Sequence, residues 1–183
     1  MLITITKEEQ LEFLKQYWER IKKRTDTFFN WVNDRNLIDQ VWNSDSKVSY
    51  ERLYYSTLWE VLVTWKLKWK VSTSYNEDYD ILLQNKIKID VKTLVTIKSD
   101  NLERLKNYNF YLLASQIEHK RDIVFVPLWY WEWQNINFIY NPKFTTEYII
   151  NNFNKVKSGP ENTNFSNSNK ENYIIPVKSL LED

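Results

Sequence analysis

Cysteine is absent and histidine occurs once, at His119. Without cysteine there are neither disulfides nor thiolate metal sites, and a reducing compartment is suited to the chain. One histidine excludes a multi-histidine zinc centre and argues against a Ser-His-Asp triad. Glycine also occurs once, at Gly159, which excludes the glycine-rich phosphate loops of Walker and Rossmann type. No apolar run approaches the roughly 18 residues of a membrane-spanning helix, and the first residues lack the apolar core of a secretory signal. Lys and Arg number 25 against 24 Asp and Glu, so any surface for nucleic acid has to be local. The expectation is a cytoplasmic protein with no membrane partner.

What is present describes a folded globule. The 183 residues are 43% apolar, enough for one domain with a sizeable core. The organisation expected is a single domain over 1–183, with an N-terminal helix at 7–31, a core at 46–140 and a flexible Asn/Ser-rich loop at 151–172. Thr6-Lys7-Glu8-Glu9 has the form of a capping box, and Leu11, Leu14, Trp18 and Ile21 mark one helical face behind it. Lys15, Arg20, Lys22, Lys23 and Arg24 read first as the solvated side of that helix.

A second helix is expected over about 46–64. On a wheel of 100° per residue, Leu58, Leu62, Trp65, Tyr54 and Tyr55 fall within about 60° of Glu51, at the centre of the apolar face. Glu60 falls opposite, with Leu53, Ser56 and Thr57. A carboxylate aimed at a core requires a cation or donors, so Glu51 is the acid of interest. Its ordinary alternative is a place in the first helical turn, where an acid favours the dipole and escapes to solvent.

From Thr64 to Val71, Trp65, Leu67, Trp69 and Val71 alternate with Lys66, Lys68 and Lys70, the pattern of a strand with one buried face. Ser99 to Lys106 is polar, with room for one or two helical turns. Phe110–Ala114 and Ile123–Leu128 are near-continuous apolar runs that suit strands buried on both faces. The aromatic run Trp129-Tyr130-Trp131-Glu132-Trp133 reads as core packing rather than base stacking. His119 is expected in an exposed turn, and Tyr173–Val177 as a short closing strand.

The stretch that carries chemistry is Glu77–Thr93. Tyr79, Ile81 and Leu83 alternate with Asp80, Leu82 and Gln84. After a Gln84-Asn85 turn, Ile87, Ile89 and Val91 alternate with Lys86, Lys88, Asp90 and Lys92. Residues two apart on a strand share a side, roughly 6.5–7 Å apart, so Asp90 and Lys92 project together. A hairpin sets Asp80 alongside them. Two carboxylates and an ammonium on neighbouring strands suit hard-metal phosphodiester chemistry. The same alternation also has a plain meaning, the solubility of a wet hairpin face.

Asp80 followed ten residues later by Asp90-Val91-Lys92 resembles the PD-(D/E)xK, or restriction-endonuclease-like, nucleases. Tyr79 replaces the proline of that pattern, and Asp90 stands where Glu is more frequent. The resemblance implies an α/β fold with a restriction-endonuclease-like αβββαβ core, a mixed central sheet flanked by helices. It implies a Mg²⁺-dependent endonuclease hydrolysing DNA phosphodiester bonds, with Mn²⁺ as a substitute and a homodimer as a further partner state. Asp80, Asp90, the Val91 carbonyl and Glu51 would hold the metal, and Lys92 would position the attacking water. Glu77 and Asp78 stand in reserve if the strand register slips. The other reading is a nuclease-fold protein without catalysis that binds nucleic acid or protein.

Overall fold

The most apolar stretch of the chain, Ile123–Tyr130, is strand β5, buried along its whole length except at Tyr130. In the computed structural model, which describes residues 1–34, 50–69, 79–95, 106–130, 135–157 and 171–182, this strand is the centre of a five-stranded mixed sheet. Its neighbour β3 (Lys88–Val95) runs parallel to it, with Asp90 level with Phe125 and Lys92 with Pro127. On the other side lie β6 (Ile136–Ile139) and then the edge strand β1 (Leu2–Ile5), each antiparallel to its neighbour. The opposite edge is β2 (Ile81–Leu82), antiparallel to β3. Pro127 lies between the Phe125 amide, which donates to the Phe144 carbonyl, and the β6 ladder, which begins at Leu128. A residue without an N–H costs nothing there.

Alternation along β5 divides the protein into two cores. Val124, Val126 and Leu128 face the helices α1 (Lys7–Asp34) and α2 (Tyr50–Lys66), with Phe13, Ile21, Leu62 and Ile89. Ile123, Phe125 and Trp129 face a second, three-stranded sheet of β4 (Asn109–Leu113), β8 (Asn172–Pro176) and β7 (Lys155–Val156). Three short helices complete that layer: α3 (Ala114–His119), α4 (Thr146–Asn152) and α5 (Val177–Leu181). The protein is therefore mixed α/β, a mixed five-stranded sheet flanked by helices. Among the described residues no helix is long and apolar enough to cross a membrane.

Several local expectations are corrected. The capping box is present: the Thr6 amide donates to Glu9 Oε2 at 2.9 Å and the Glu9 amide to Thr6 Oγ1 at 3.3 Å. The buried face of α1, however, is Phe13, Ile21 and Thr25, whereas Leu11 and Trp18 are 54% and 50% exposed. The strand expected at 64–71 is not formed at its start. Thr64–Lys66 close α2, and the chain turns at Lys68 with φ 57°. The Trp69 amide donates to Thr64 and the Lys68 amide to Trp65, the paired bonds of a Schellman cap. Trp65, Leu67 and Trp69 all still pack on the helix-side core, so a helix end reproduces the alternation of a strand. Lys70 and Val71 lie outside the described residues, as does the segment at 99–105.

The run at Phe110–Ala114 is not buried on both faces. Phe110 and Leu112 point into the second core, Asn109 and Tyr111 stand half-open, and Ala114 begins α3. Of the loop expected at 151–172, Asn151 and Asn152 end α4, Lys155 and Val156 form β7, and 158–170 lie outside the described residues.

Candidate active site

The hairpin is built by a loop of three residues rather than two. The Lys86 amide donates to the Leu83 carbonyl at 2.9 Å and the Leu83 amide to the Ile87 carbonyl at 2.9 Å. Lys86, at φ 66°, takes the left-handed position expected of Asn85, while Asn85 Oδ1 accepts from the Ile87 amide at 3.4 Å. Ile81 and Ile89 pair and are fully buried.

Asp80 comes immediately before β2, at a bend. Its amide donates to the Ile89 carbonyl at 2.9 Å, and its Oδ2 accepts from the Val91 amide at 2.6 Å. A carboxylate thus takes the place of a strand partner for β3. A strand residue sends its N–H and C=O to one side, so the Val91 carbonyl also emerges on the Asp80 side.

Asp90 is 2% exposed, and both of its oxygens are claimed by lysines. Lys92 Nζ stands 3.1 Å from Oδ1 and Lys120 Nζ 2.5 Å from Oδ2. Ile89 and Val91 pack on the helix-side core, so Asp90 and Lys92 project from the opposite face. Lys120 follows α3 directly, two residues before Asp122, whose φ of 57° turns the chain into β5. The lysine side chains, 29% exposed at Lys92 and 16% at Lys120, lie on an open side of the site, while Asp90 is closed off from solvent.

The electrostatics separate the two aspartates. Burial, Asp90 and Glu60 push the Asp80 carboxyl well above the ordinary aspartate range, against the pull of Lys92 and the Val91 amide. Burial acts on Asp90 as well, but Lys92, Lys120 and a hydrogen bond from Asp80 outweigh it and hold Asp90 below its usual value. Asp80 is thus the weaker acid of the two and Asp90 the stronger. Burial alone would lower Lys92, yet the two aspartates hold it above the ordinary lysine value.

Among the described residues, Glu60 of α2 is the helical glutamate whose charge acts on both aspartates. Glu60 is buried and pairs with Arg24 Nη2 at 2.9 Å. Burial pushes it up to about 7 despite Arg24, and Asp90 adds to the rise. The wheel placed Glu60 on a solvated face, but α2 is buried on all sides from Thr57 to Thr64, so no face of that stretch is solvent-facing. Glu51 lies in the first turn of α2 and its side chain is outside the described residues, as are Glu77 and Asp78.

Sequence reasoning missed two members, Glu60 and Lys120. Lys120 had no periodic signal, since it lies in a turn 30 positions from its partner. His119, beside it, is exposed.

Whether a divalent cation suits the residues is tested by the Asp80–Asp90 contact. The charge of Asp90 helps to raise Asp80, so a cation between the two carboxyls would relieve that repulsion. The oxygen donors of Asp80, Asp90 and the Val91 carbonyl suit a hard ion such as Mg²⁺ or Mn²⁺. Among the described residues no three His, Asp or Glu side chains form a ready-made metal cluster, so the two aspartates would need a backbone carbonyl, water or substrate oxygens to complete the shell. No protein-family model matches this chain, nor does any curated protein or any solved structure.

Proposed function

We propose that the chain is a divalent-cation-dependent phosphodiesterase acting on DNA, of the restriction-endonuclease-like kind. The observation that carries the reading is the convergence of Asp80, Asp90 and Lys92 at one partly open site, each group fixed by a partner. The antiparallel β2–β3 pair followed by the parallel β3–β5 pair supports the corresponding core arrangement. Asp80, Asp90 and the Val91 carbonyl would hold the ion. When bound, the ion supplies charge neutralisation at the phosphate and a more acidic water.

The chain's own residues account for the rest. Asp90 fixes the Lys92 ammonium at 3.1 Å, and the 29% exposure of that side chain leaves its head reachable by water. Lys92 then orients the attacking water in line with phosphorus and offsets charge growing on the phosphoryl oxygens. The oxygen of water bonds to phosphorus and releases a proton to solvent, the ester P–O bond breaks, and the leaving oxygen takes a proton from solvent. Burial, Asp90 and Glu60 keep Asp80 the more basic of the two carboxylates.

A binding module without catalysis is the second reading, and one observation favours it. Both lysines are closed on Asp90, as in a site stabilised without metal. Purified protein incubated with plasmid, linear DNA and RNA, with Mg²⁺ or Mn²⁺ against EDTA, separates the two. The phosphodiesterase reading expects cation-dependent cleavage of DNA; binding without cleavage of any substrate selects the module.

A further inference from the structure

The second lysine on Asp90 has no counterpart in the motif that drew attention to the site. Lys120 reaches Asp90 from a different layer. Its helix α3 is held by buried Ala114 and Ile117, and by Glu118, which accepts from the Tyr173 hydroxyl at 2.9 Å. The backbone that presents Lys120 is therefore anchored, while four rotatable side-chain bonds leave its ammonium free to move. One carboxylate carries two lysine ammonium groups, one on each oxygen, and both side chains are partly open to solvent. Two cations sharing one carboxylate on the open side of the site favour an anion there.

We propose that Lys120 is a phosphate-binding residue, parked on Asp90 in the free protein and passed to a non-bridging oxygen of the DNA backbone when substrate enters. The proposal rests on the phosphodiesterase reading for the identity of the anion. Lys92 and Lys120 sit on different oxygens of Asp90, so they approach the site from two directions. Lys92 serves the water and Lys120 holds the phosphate against it.

The test is binding without turnover. Anisotropy of a fluorescein-labelled short DNA duplex in EDTA, over a range of salt, compares wild type with Lys120→Met, Lys120→Arg and Lys143→Ala. Lys143 is exposed and remote in sequence, so it controls for the loss of one charge. Thermal unfolding checks that each variant folds, and Lys120→Arg keeps the charge if Lys120→Met does not fold. Loss of one charge-assisted contact predicts binding weaker by about ten- to a hundredfold for Lys120→Met. The slope of log K against log salt should also fall by about 0.9, with Lys120→Arg retaining the slope. Wild-type affinity and slope in folded Lys120→Met, or an equal effect of Lys143→Ala, overturns the proposal. If wild type cleaves while Lys120→Met binds and cleaves as well, only the Lys120 role falls. If no protein cleaves but the slope still drops, the phosphodiesterase reading falls and Lys120 remains a phosphate ligand.

Discussion

Asp80 and Asp90 flank Val91 at the β2–β3 hairpin, Asp80 accepting from the Val91 amide at 2.6 Å, and the charge of Asp90 helps to raise Asp80 while two lysines hold Asp90 low. That unequal pair predicts how the protein responds to a divalent cation. Mg²⁺ or Mn²⁺ should relieve the repulsion between the two carboxyls and raise the unfolding midpoint, by about 2.7 kcal/mol of stability at a hundred times Kd. Asp80→Asn should abolish the rise and leave the metal-free fold at least as stable in mildly alkaline buffer. Differential scanning fluorimetry across a cation titration reads both effects. An equal rise in Asp80→Asn would place the ion elsewhere.

Glu60 predicts the pH dependence of the metal-free protein. Its folded pKa of about 7 lies above the ordinary 4.5 because burial outweighs Arg24. A raised pKa means the folded state binds the proton more tightly, so this contribution is complete below 4.5 and is lost as pH rises through about 7. Asp80 acts in the same direction, while Asp90 acts oppositely at acid pH. Urea midpoints in EDTA should therefore fall between pH 4.5 and 7 in wild type and fall less in Glu60→Gln. A flat wild-type profile would contradict the burial of an ionisable Glu60.

Lys92→Met keeps the apolar stem and removes the ammonium. Turnover on DNA should drop by about 10²–10⁴, the scale of losing a positioned proton-handling or charge-stabilising group. The cation-induced rise in unfolding midpoint should persist, because the metal-holding oxygens are untouched. Lys92→Arg should not restore turnover, since a planar fork cannot occupy the same point. A variant that keeps its activity would remove Lys92 from the chemistry.

Much of this site was legible because hairpins are local. Period-2 alternation sets Asp90 and Lys92 on one side, and a short loop necessarily returns Asp80 beside them. Glu60 was not legible, because a wheel identifies one buried face and α2 is buried on all of them through that stretch. Lys120 depends on the left-handed turn at Asp122 and on the packing of a second layer, neither of which is written in spacing. The same holds for the three-stranded sheet: β4 pairs with β8, far along the chain, so its half-open alternation is decided by tertiary partners. At Trp65–Trp69 the sequence was ambiguous, since a Schellman cap and a strand both set alternate aromatics inward.

The α1 N-terminus supplies a check independent of function. Thr6→Ala removes the hydroxyl that accepts from the Glu9 amide, and Glu9 also pairs with Lys66 at the far end of α2. A loss of about 1 kcal/mol by urea unfolding is expected, with no change in cleavage. A loss near zero would mean the cap is frayed in solution.

The most direct measurement is plasmid nicking by purified wild type and by Asp90→Asn and Lys92→Met, each with Mn²⁺ and with EDTA. The account predicts nicking by wild type that requires the cation and is lost in both variants. Nicking that survives in either variant, or wild-type protein that neither nicks DNA nor gains stability from the cation, would contradict it.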